Sequence, residues 1–311
     1  MSEPAAKRQK LISASNPATT RLRELLAQER CHQVPCCFDA LSAKLVARAG
    51  FDISFMSGFC VAGVHGHPDT QLISYAEMAT QLSSICAATP DMPIIGDGDN
   101  GYGNSVNVKH TVRGYARCGA ACIMIEDQVM PKRCGHTKGK MVVDRAEAIM
   151  RVRAACDARD EGADILVMAR TDARGTHSLD EAIERCRAFR AAGADLTFLE
   201  APLTVAEMER YCREVDGPKM ANMIEGGKTP VLPLDRLQRM GYAIAVYPLT
   251  LMSAAMRGMT EALQLLRQVK PTDPTLLPFE EVKDVVGFNA YYREEDRYKA
   301  DETETETTAE G

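Results

Sequence analysis

The sequence of 311 residues lacks the marks of several protein classes. Its longest apolar runs are only as long as a strand, and no charged start followed by an apolar segment and a cleavage site opens the chain. Its formal net charge is −6, and no basic cluster with interleaved aromatic residues occurs, which argues against nucleic-acid binding. The eleven cysteines show no paired zinc spacing, so most are expected to be reduced, buried, apolar fillers. We therefore expect a cytoplasmic protein that binds neither nucleic acid nor a membrane.

The two ends of the chain differ in composition from the middle. Residues 1–17 are polar and contain a short basic cluster at residues 7–10, whereas residues 300–311 are acidic and rich in threonine. Both segments are predicted to be disordered, and residues 18–299 are predicted to form the catalytic domain with its C-terminal helices. The basic cluster is compatible with a nuclear import signal, but so short a cluster occurs often by chance.

Short apolar segments alternate with longer amphipathic segments through the middle of the chain. Eight of the apolar segments are predicted strands, at residues 33–38, 53–57, 93–97, 122–126, 165–170, 196–200, 219–222 and 243–247. Eight strand–helix units in roughly 230 residues predict an α/β fold of the (β/α)8 type, a TIM barrel. A doubly wound open sheet is the alternative, but the segment after the first strand, residues 36–40, is not a glycine-rich phosphate loop.

In a TIM barrel, the reacting groups lie at the carboxyl ends of the strands. The polar residues predicted there are Ser57, Asp97, Asp99, Glu126, Arg170, Glu200 and Asn222. On an extended segment the side chains of Asp97 and Asp99 project to the same side and can share one cation. Carboxylates this close need neutralisation by protonation or by a divalent cation, and oxygen ligands without histidine favour Mg²⁺ or Mn²⁺ over zinc.

A cysteine follows the fourth predicted strand, where residues 132–136 read Lys-Arg-Cys-Gly-His. A thiol between cations and a histidine, on a loop that contains glycine, can be tuned towards the thiolate and can move. An ordinary exposed thiol is the simpler interpretation of Cys134 taken alone. Its position just beyond the acidic end of a strand favours a proton donor on a lid, with Lys132, Arg133 and His136 stabilising the thiolate.

These segments resemble the isocitrate lyase and phosphoenolpyruvate mutase superfamily, in particular its branch of 2-alkylmalate and 2-methylisocitrate lyases that includes the plant petal death protein. The resemblance covers roughly residues 18–295 and rests on segments 57–58, 68–69, 97–99, 125–128, 132–136, 168–172, 200–201, 221–227 and 247–249. The Lys-x-Cys-Gly-His loop is highly specific, because it separates the carbon–carbon lyases from the mutases and phosphonate hydrolases. The resemblance implies a barrel whose last helix is exchanged between subunits, in a homotetramer built from two such dimers.

The resemblance also implies a magnesium site. Asp97 would bind Mg²⁺ directly, whereas Asp69, Asp99 and Glu126 would reach the ion through water. The implied substrate is a 2-hydroxy di- or tricarboxylate, whose bond between C2 and C3 breaks to give a 2-oxo acid and the enediolate of a short carboxylic acid. Magnesium would acidify the substrate hydroxyl, and Cys134 would protonate the enediolate.

The same resemblance implies which residues bind the substrate. They are Ser57, Gly58 and Phe59 for the 2-oxo acid portion, Arg170 for a carboxylate, Gly135 and His136 on the closing loop, and Glu200 and Asn222 for the rest of the pocket. Where methylisocitrate lyases commonly have threonine after the pocket asparagine, this chain has Ile224, which cannot donate a hydrogen bond to a third carboxylate. A dicarboxylate with small alkyl groups is therefore favoured. The pair His65 and His67, whose role is open, is predicted to be exposed.

Three alternative functions remain open. Oxaloacetate hydrolysis or decarboxylation is an activity related to the lyase reaction. A mutase or hydrolase acting on a phosphorus–carbon bond shares the fold, but its reaction makes no carbanion for Cys134 to protonate. A barrel retained for binding or assembly would not need the complete set of acidic residues together with Arg170 and Cys134.

Overall fold

The computed structural model of the protein describes residues 15–135 and 139–299, so His136 and residues 300–311 lie outside the described residues. The strands are β1 His32–Cys37, β2 Ser54–Met56, β3 Ile94–Asp97, β4 Cys122–Glu126, β5 Leu166–Thr171, β6 Leu196–Leu199, β7 Lys219–Asn222 and β8 Ile244–Tyr247. Each strand pairs in parallel with the next, and β8 pairs with β1 to close an eight-stranded barrel. The predicted TIM barrel is confirmed, and every predicted strand boundary lies within one residue of the observed one.

The helices surround this barrel in chain order. They are α1 Pro17–Leu26, α2 Ala40–Arg48, α3 Gly58–Val64, α4 Tyr75–Ala88, α5 Ser105–Arg117, α6 Arg145–Asp160, α7 Ala173–Thr176, α8 Leu179–Ala191, α9 Val205–Glu214, α10 Leu234–Met240, α11 Thr250–Arg267, α12 Phe279–Val286 and α13 Phe288–Asp296. Helices α3, α7 and α10 were not predicted, because they have seven, four and seven residues and are too short to display a helical period.

Alternate residues of the strands face two different hydrophobic layers, as the period of a strand requires. Cys36 packs in the cluster of strand side chains that fills the barrel, whereas the adjacent Cys37 packs in the cluster between the strands and the outer helices. All eleven cysteines are free thiols, and seven of them are buried. The prediction that Cys36 and Cys37 face opposite sides of a strand is therefore confirmed.

The first helix closes the amino-terminal end of the barrel. Leu22 and Leu25 of α1 pack in the same cluster as the strand side chains of the interior. Asn16, which caps α1, donates from Nδ2 to the carbonyl of Ala120 at 3.0 Å, and its backbone N–H donates to Asp164 Oδ2 at 2.6 Å. These contacts correct the predicted disordered segment 1–17, because the ordered fold already includes Asn16.

The chain divides into two compact units between Ala255 and Met256. The first unit contains the barrel, and the second contains the remainder of α11 with α12 and α13. A single helix was expected over residues 282–292, but Gly287 adopts φ 106°, a left-handed conformation that ends α12 and separates it from α13. Among the described residues, no helix is long and apolar enough to cross a membrane.

Candidate active site

The carboxyl ends of the strands surround one cavity of about 270 Å³. Of the predicted site residues, the cavity wall contains Ser57, Phe59, Asp69, Asp97, Lys132, Cys134, Gly135, Arg170, Glu200 and Asn222. Asp99 and Glu126 are buried beside it, and Gly58 contacts Asp97. His136 lies outside the described residues. Apart from that histidine, the residues predicted from distant parts of the sequence meet in one place.

Asp97, at the end of β3, is fixed by the backbone of two neighbouring segments. Its Oδ2 accepts a hydrogen bond from the Gly58 amide at 3.0 Å, and its Oδ1 accepts one from the Asp99 amide at 3.1 Å. A Cβ atom on residue 58 would lie 2.6 Å from Asp97 Oδ2, so only glycine permits this approach. The resemblance gives the Gly58 amide to the substrate, whereas in this structure it orients Asp97.

Lys132 lies between two of the carboxylates that were predicted to hold the metal. Its Nζ is 2.6 Å from Asp69 Oδ1 and 2.7 Å from Asp99 Oδ1. Although burial favours the neutral amine, the surrounding carboxylates raise the pKa of Lys132 well above its usual range. The sequence interpretation gave this ammonium to the thiolate of Cys134, but here it neutralises Asp69 and Asp99.

The structure also corrects the local geometry predicted for Asp99. Its φ of 48° places it in the left-handed region, so Asp97 and Asp99 do not project from one extended segment. Asp99 Oδ2 accepts a hydrogen bond from the hydroxyl of Tyr102 at 3.1 Å, which helps to hold the carboxylate near Lys132.

Arg170, on β5, is surrounded by acidic groups. Its Nε lies 2.8 Å from Asp172 Oδ2 and 3.3 Å from Glu126 Oε2, and its Nη2 lies 3.3 Å from Glu200 Oε2. The guanidinium stacks on Phe198, with Cζ 5.3 Å from the ring centroid. Because these contacts orient the guanidinium at the cavity wall, it is placed to receive a planar carboxylate.

The cluster near Asp97 carries more negative than positive charge. Burial raises the pKa of Asp99 to about 6, with Asp97 and Asp69 adding to the effect and Lys132 opposing it. Burial likewise raises the pKa of Glu126 well above its usual range. The Oε1 atom of Glu126 is buried and has no hydrogen-bond partner among the described residues. An additional cation near these oxygens would relieve both costs.

This donor set fits a hard divalent cation, because all its ligand atoms are carboxylate oxygens. No three acidic, histidine or cysteine side chains among residues 15–135 and 139–299 form a preformed metal cluster. That finding is compatible with an ion held directly by one carboxylate and through water by the others. It does not fit a site of zinc type, in which several side chains bind the metal directly.

A second buried network was not predicted from the sequence. Lys140 donates from Nζ to Asp172 Oδ1 at 2.7 Å and to the carbonyl of Gly135 at 2.8 Å. Although burial favours its neutral acid, Arg170 and Lys140 lower the pKa of Asp172 below the usual range. Asp172 belongs to a segment that supports the resemblance, but its two cationic partners are distant or unremarkable in sequence. The network connects β5 to the residue that follows Cys134.

The remaining predicted residues fall as follows. Asn222 donates from Nδ2 to Glu200 Oε2 at 3.3 Å, and its buried Oδ1 has no hydrogen-bond partner in the described part of the chain. Phe59 is 40% exposed at the wall of the cavity, where it can narrow the opening. His65 and His67 are exposed, as predicted.

Comparison with known proteins identifies the family. The sequence matches the family described as phosphoenolpyruvate phosphomutase over residues 22–267. The chain belongs to this family. The solved structure of 2,3-dimethylmalate lyase, described as a member of the PEP mutase/isocitrate lyase superfamily, has a TM-score of 0.86 and 34% identity, and covers 92% of this chain and 96% of that one. The resemblance inferred from the motifs is therefore confirmed.

Relatives in the family carry different activities in their names. The 2,3-dimethylmalate lyase of Eubacterium barkeri is 39% identical over 89% of this chain and 97% of its own length. The chloroplastic carboxyvinyl-carboxyphosphonate phosphorylmutase of Arabidopsis thaliana is 36% identical over 93% of this chain and 87% of its own length. The solved structure of oxaloacetate acetylhydrolase in complex with the inhibitor 3,3-difluorooxalacetate has a TM-score of 0.86 and 30% identity, covering 92% of this chain and 98% of that one. Family membership alone therefore leaves the reaction open.

The Asp172 network provides a test of the site's electrostatics. Substitution Asp172→Asn keeps the shape of the side chain but leaves Arg170 and Lys140 without their shared buried anion. We expect the free energy of unfolding to fall by about 3 kcal/mol, because removing one partner of a buried ion pair leaves an uncompensated charge. Chemical denaturation measures this. The control Asp180→Asn removes an exposed partner of Arg210 and should change stability by less than about 1 kcal/mol. Equal losses in both variants would contradict the interpretation.

Proposed function

We propose that the protein is a Mg²⁺-dependent lyase, with Mn²⁺ as a possible substitute, that cleaves a carbon–carbon bond in a 2-hydroxy dicarboxylate. The products are a 2-oxo acid and a short carboxylic acid. One observation carries the proposal: Cys134, the acidic residues Asp69 and Asp97, and Arg170 line the same cavity. The 39% identity to 2,3-dimethylmalate lyase supports it.

Asp97 would bind the ion directly, and Asp69, Asp99 and Glu126 would contact it through water. When bound, magnesium would supply Lewis acidity that makes the substrate hydroxyl more acidic and favours the carbonyl of the 2-oxo product. The buried, partnerless Oε1 of Glu126 and the excess negative charge support this assignment. Lys132 would remain the local positive charge that limits repulsion between Asp69 and Asp99.

The chain's own residues would then bind the substrate and deliver one proton. Ser57 and Phe59 would hold the 2-oxo acid portion, Arg170 would pair with a carboxylate, and Glu200 and Asn222 would complete the polar wall. The substrate hydroxyl loses its proton, the electron pair of the C2–C3 bond passes to the departing fragment, and the thiol of Cys134 gives its proton to that fragment's carbon. Gly135 would cover the substrate, and His136 would stabilise the resulting thiolate.

The apolar part of the cavity supports a substrate with small alkyl groups. Its apolar lining includes Phe55, Met124, Phe198, Met220, Ile224, Val246 and Leu249. Ile224 reaches the cavity wall, as the sequence interpretation requires, and offers a methyl-bearing surface without a hydrogen-bond donor. A third carboxylate placed there would lose its hydration without compensation. We therefore favour a 2-alkylmalate over methylisocitrate.

Two other reactions have specific support. Hydrolysis or decarboxylation of oxaloacetate is favoured by the TM-score of 0.86 with oxaloacetate acetylhydrolase. A phosphorus–carbon bond mutase or hydrolase is favoured by the 36% identity to the phosphorylmutase. The position of Cys134 in the cavity wall argues against the second, because phosphoryl transfer leaves no carbanion for a thiol to protonate.

A substrate panel tests the proposed specificity. Release of 2-oxo acid is followed with Mg²⁺ from alkyl- and dimethylmalates, methylisocitrate and oxaloacetate. We expect kcat/KM for the preferred alkylmalate to exceed that for methylisocitrate by about tenfold or more, and chelation of the metal to abolish turnover. Substitution Ile224→Thr should narrow that ratio by supplying a donor. Methylisocitrate outpacing every alkylmalate would show that the inference from Ile224 is wrong.

Substitution Cys134→Ser tests the proton donor. General acid catalysis contributes typically about 10²- to 10⁴-fold, so kcat should fall within that range. Binding of oxalate in the presence of Mg²⁺, measured by calorimetry, should persist, because the serine keeps the shape of the site. The control Cys212→Ser changes another partly exposed thiol, on α9, and should retain turnover. An unchanged kcat in the Cys134 variant would favour a reaction without a carbanion.

We also propose a homotetramer in which C-terminal helices are exchanged between subunits. The apolar side chains of Met256, Leu263 and Leu266 on α11 and of Phe279 on α12 are each more than half exposed, and α11 buries none of its residues. A partner subunit would cover such surfaces. Light scattering after size-exclusion chromatography should give four times the mass of the chain, and a monomer at micromolar concentration would contradict the exchange.

A further inference from the structure

The segment that carries Cys134 leaves the barrel after β4 and returns before α6. At its base, the Val129 amide donates to the carbonyl of Met141 at 3.0 Å, and the Val143 amide donates to the carbonyl of Asp127 at 2.9 Å. These two bonds fix where the segment begins and ends. They do not by themselves fix the backbone next to the thiol, which lies several residues further along.

Gln128 contacts that backbone directly. Its Oε1 accepts a hydrogen bond from the Arg133 amide at 3.0 Å, and its Nε2 donates to the Arg133 carbonyl at 2.9 Å. The same Nε2 lies 3.2 Å from Glu126 Oε2, to which it also donates. A carboxamide is required for this pattern, because a carboxylate cannot donate and an ammonium cannot accept. Gln128 therefore connects the residue before Cys134 to a carboxylate of the acidic cluster.

Gln71 makes a similar contact from another side. Its Oε1 accepts from the Lys132 amide at 2.7 Å, and its carboxamide exchanges hydrogen bonds of 2.8 and 3.1 Å with that of Asn100. The backbone of Gln71 has φ 57°, a conformation that costs energy for a residue with a Cβ atom and persists only where the surroundings hold it. The strain and the hydrogen bonds occur at the same residue, two positions after Asp69.

The two carboxamides thus bind three consecutive backbone groups, the amide of Lys132 and the amide and carbonyl of Arg133. Cys134 follows immediately, and Lys140 binds the Gly135 carbonyl on its other side at 2.8 Å. A buried glutamine that satisfies backbone groups is common in proteins. Here, however, both glutamines lie in loops that also carry the acidic residues Asp69 and Glu126, and both act on the residues that precede one thiol.

We propose that Gln71 and Gln128 are positioning residues that set the location of the Cys134 thiol relative to the acidic cluster. Neither needs to touch the substrate. In the proposed lyase reaction, a displaced thiol would deliver its proton poorly while substrate and metal binding remained intact. Only this kinetic consequence rests on the proposed function. The location of the thiol itself can be measured without turnover.

Gln128→Met and Gln71→Met test the proposal, because methionine keeps the length of the side chain but forms neither hydrogen bond. The measured quantity is the rate at which iodoacetamide alkylates Cys134 in the full-length protein, followed by peptide mass spectrometry. Cys212 in the same molecule serves as an internal reference. Gln238→Met is the matched control variant, because Gln238 also binds a backbone amide, that of Cys31 at 3.3 Å, but on α10.

We expect alkylation of Cys134 to accelerate about fivefold or more in each test variant, as the loss of one or two hydrogen bonds implies, with Cys212 unchanged. In turnover, kcat should fall about tenfold or more, because small displacements of a reacting group are costly. The dissociation constant for oxalate with Mg²⁺ should stay within about twofold of that of the unmodified chain. Gln238→Met should leave all three measurements unchanged.

Unaltered alkylation of Cys134 in both folded variants would overturn the proposal. Equal acceleration at Cys134 and Cys212 would also overturn it, because that result indicates general loosening. If Gln128→Met fails to fold, Gln71→Met decides, since Gln71 is only half-buried. If the unmodified protein releases no 2-oxo acid from any substrate, the lyase proposal fails, while the alkylation rates still decide the role of the two glutamines.

Discussion

The gathering of acidic side chains in a buried place is the constraint around which the site of this protein is organised. Asp69, Asp97, Asp99 and Glu126 come from different loops, and their mutual repulsion would separate those loops if nothing compensated it. Lys132 supplies part of the compensation through two ion pairs of 2.6 and 2.7 Å. Because Lys132 is two residues before Cys134, neutralising the acidic cluster also brings the thiol to the cavity.

Arg170 and Lys140 extend the same principle to the opposite wall. They share Asp172, which is completely buried, and Lys140 also binds the carbonyl that follows Cys134. A low dielectric strengthens each of these contacts and makes each unpaired charge costly. The two networks together place cations, anions and one sulfur around a small volume. That mixture suits the making and quenching of a carbanion beside a planar carboxylate.

Much of this arrangement was predictable from the sequence, and the reasons differ between fold and site. The strands were located to within one residue because buried parallel strands are short apolar runs with polar ends. Those ends then identified Asp97, Glu126, Arg170 and Glu200, because a barrel brings all its carboxyl ends to one face. The binding partner of Lys132 and the left-handed backbone of Asp99 depend on distances between loops, which no local pattern encodes. The same applies to Lys140 and Asp172.

The placement of α1 has a consequence for traffic through the cavity. Its leucines seal the amino-terminal end of the barrel, and the interior between that seal and the site is filled by buried side chains. The cavity is thus a blind chamber with a single doorway. Reactant and both fragments must share it, so whichever fragment lies deeper has to wait until the outer one has departed, and the architecture imposes an order of exit that no individual residue specifies.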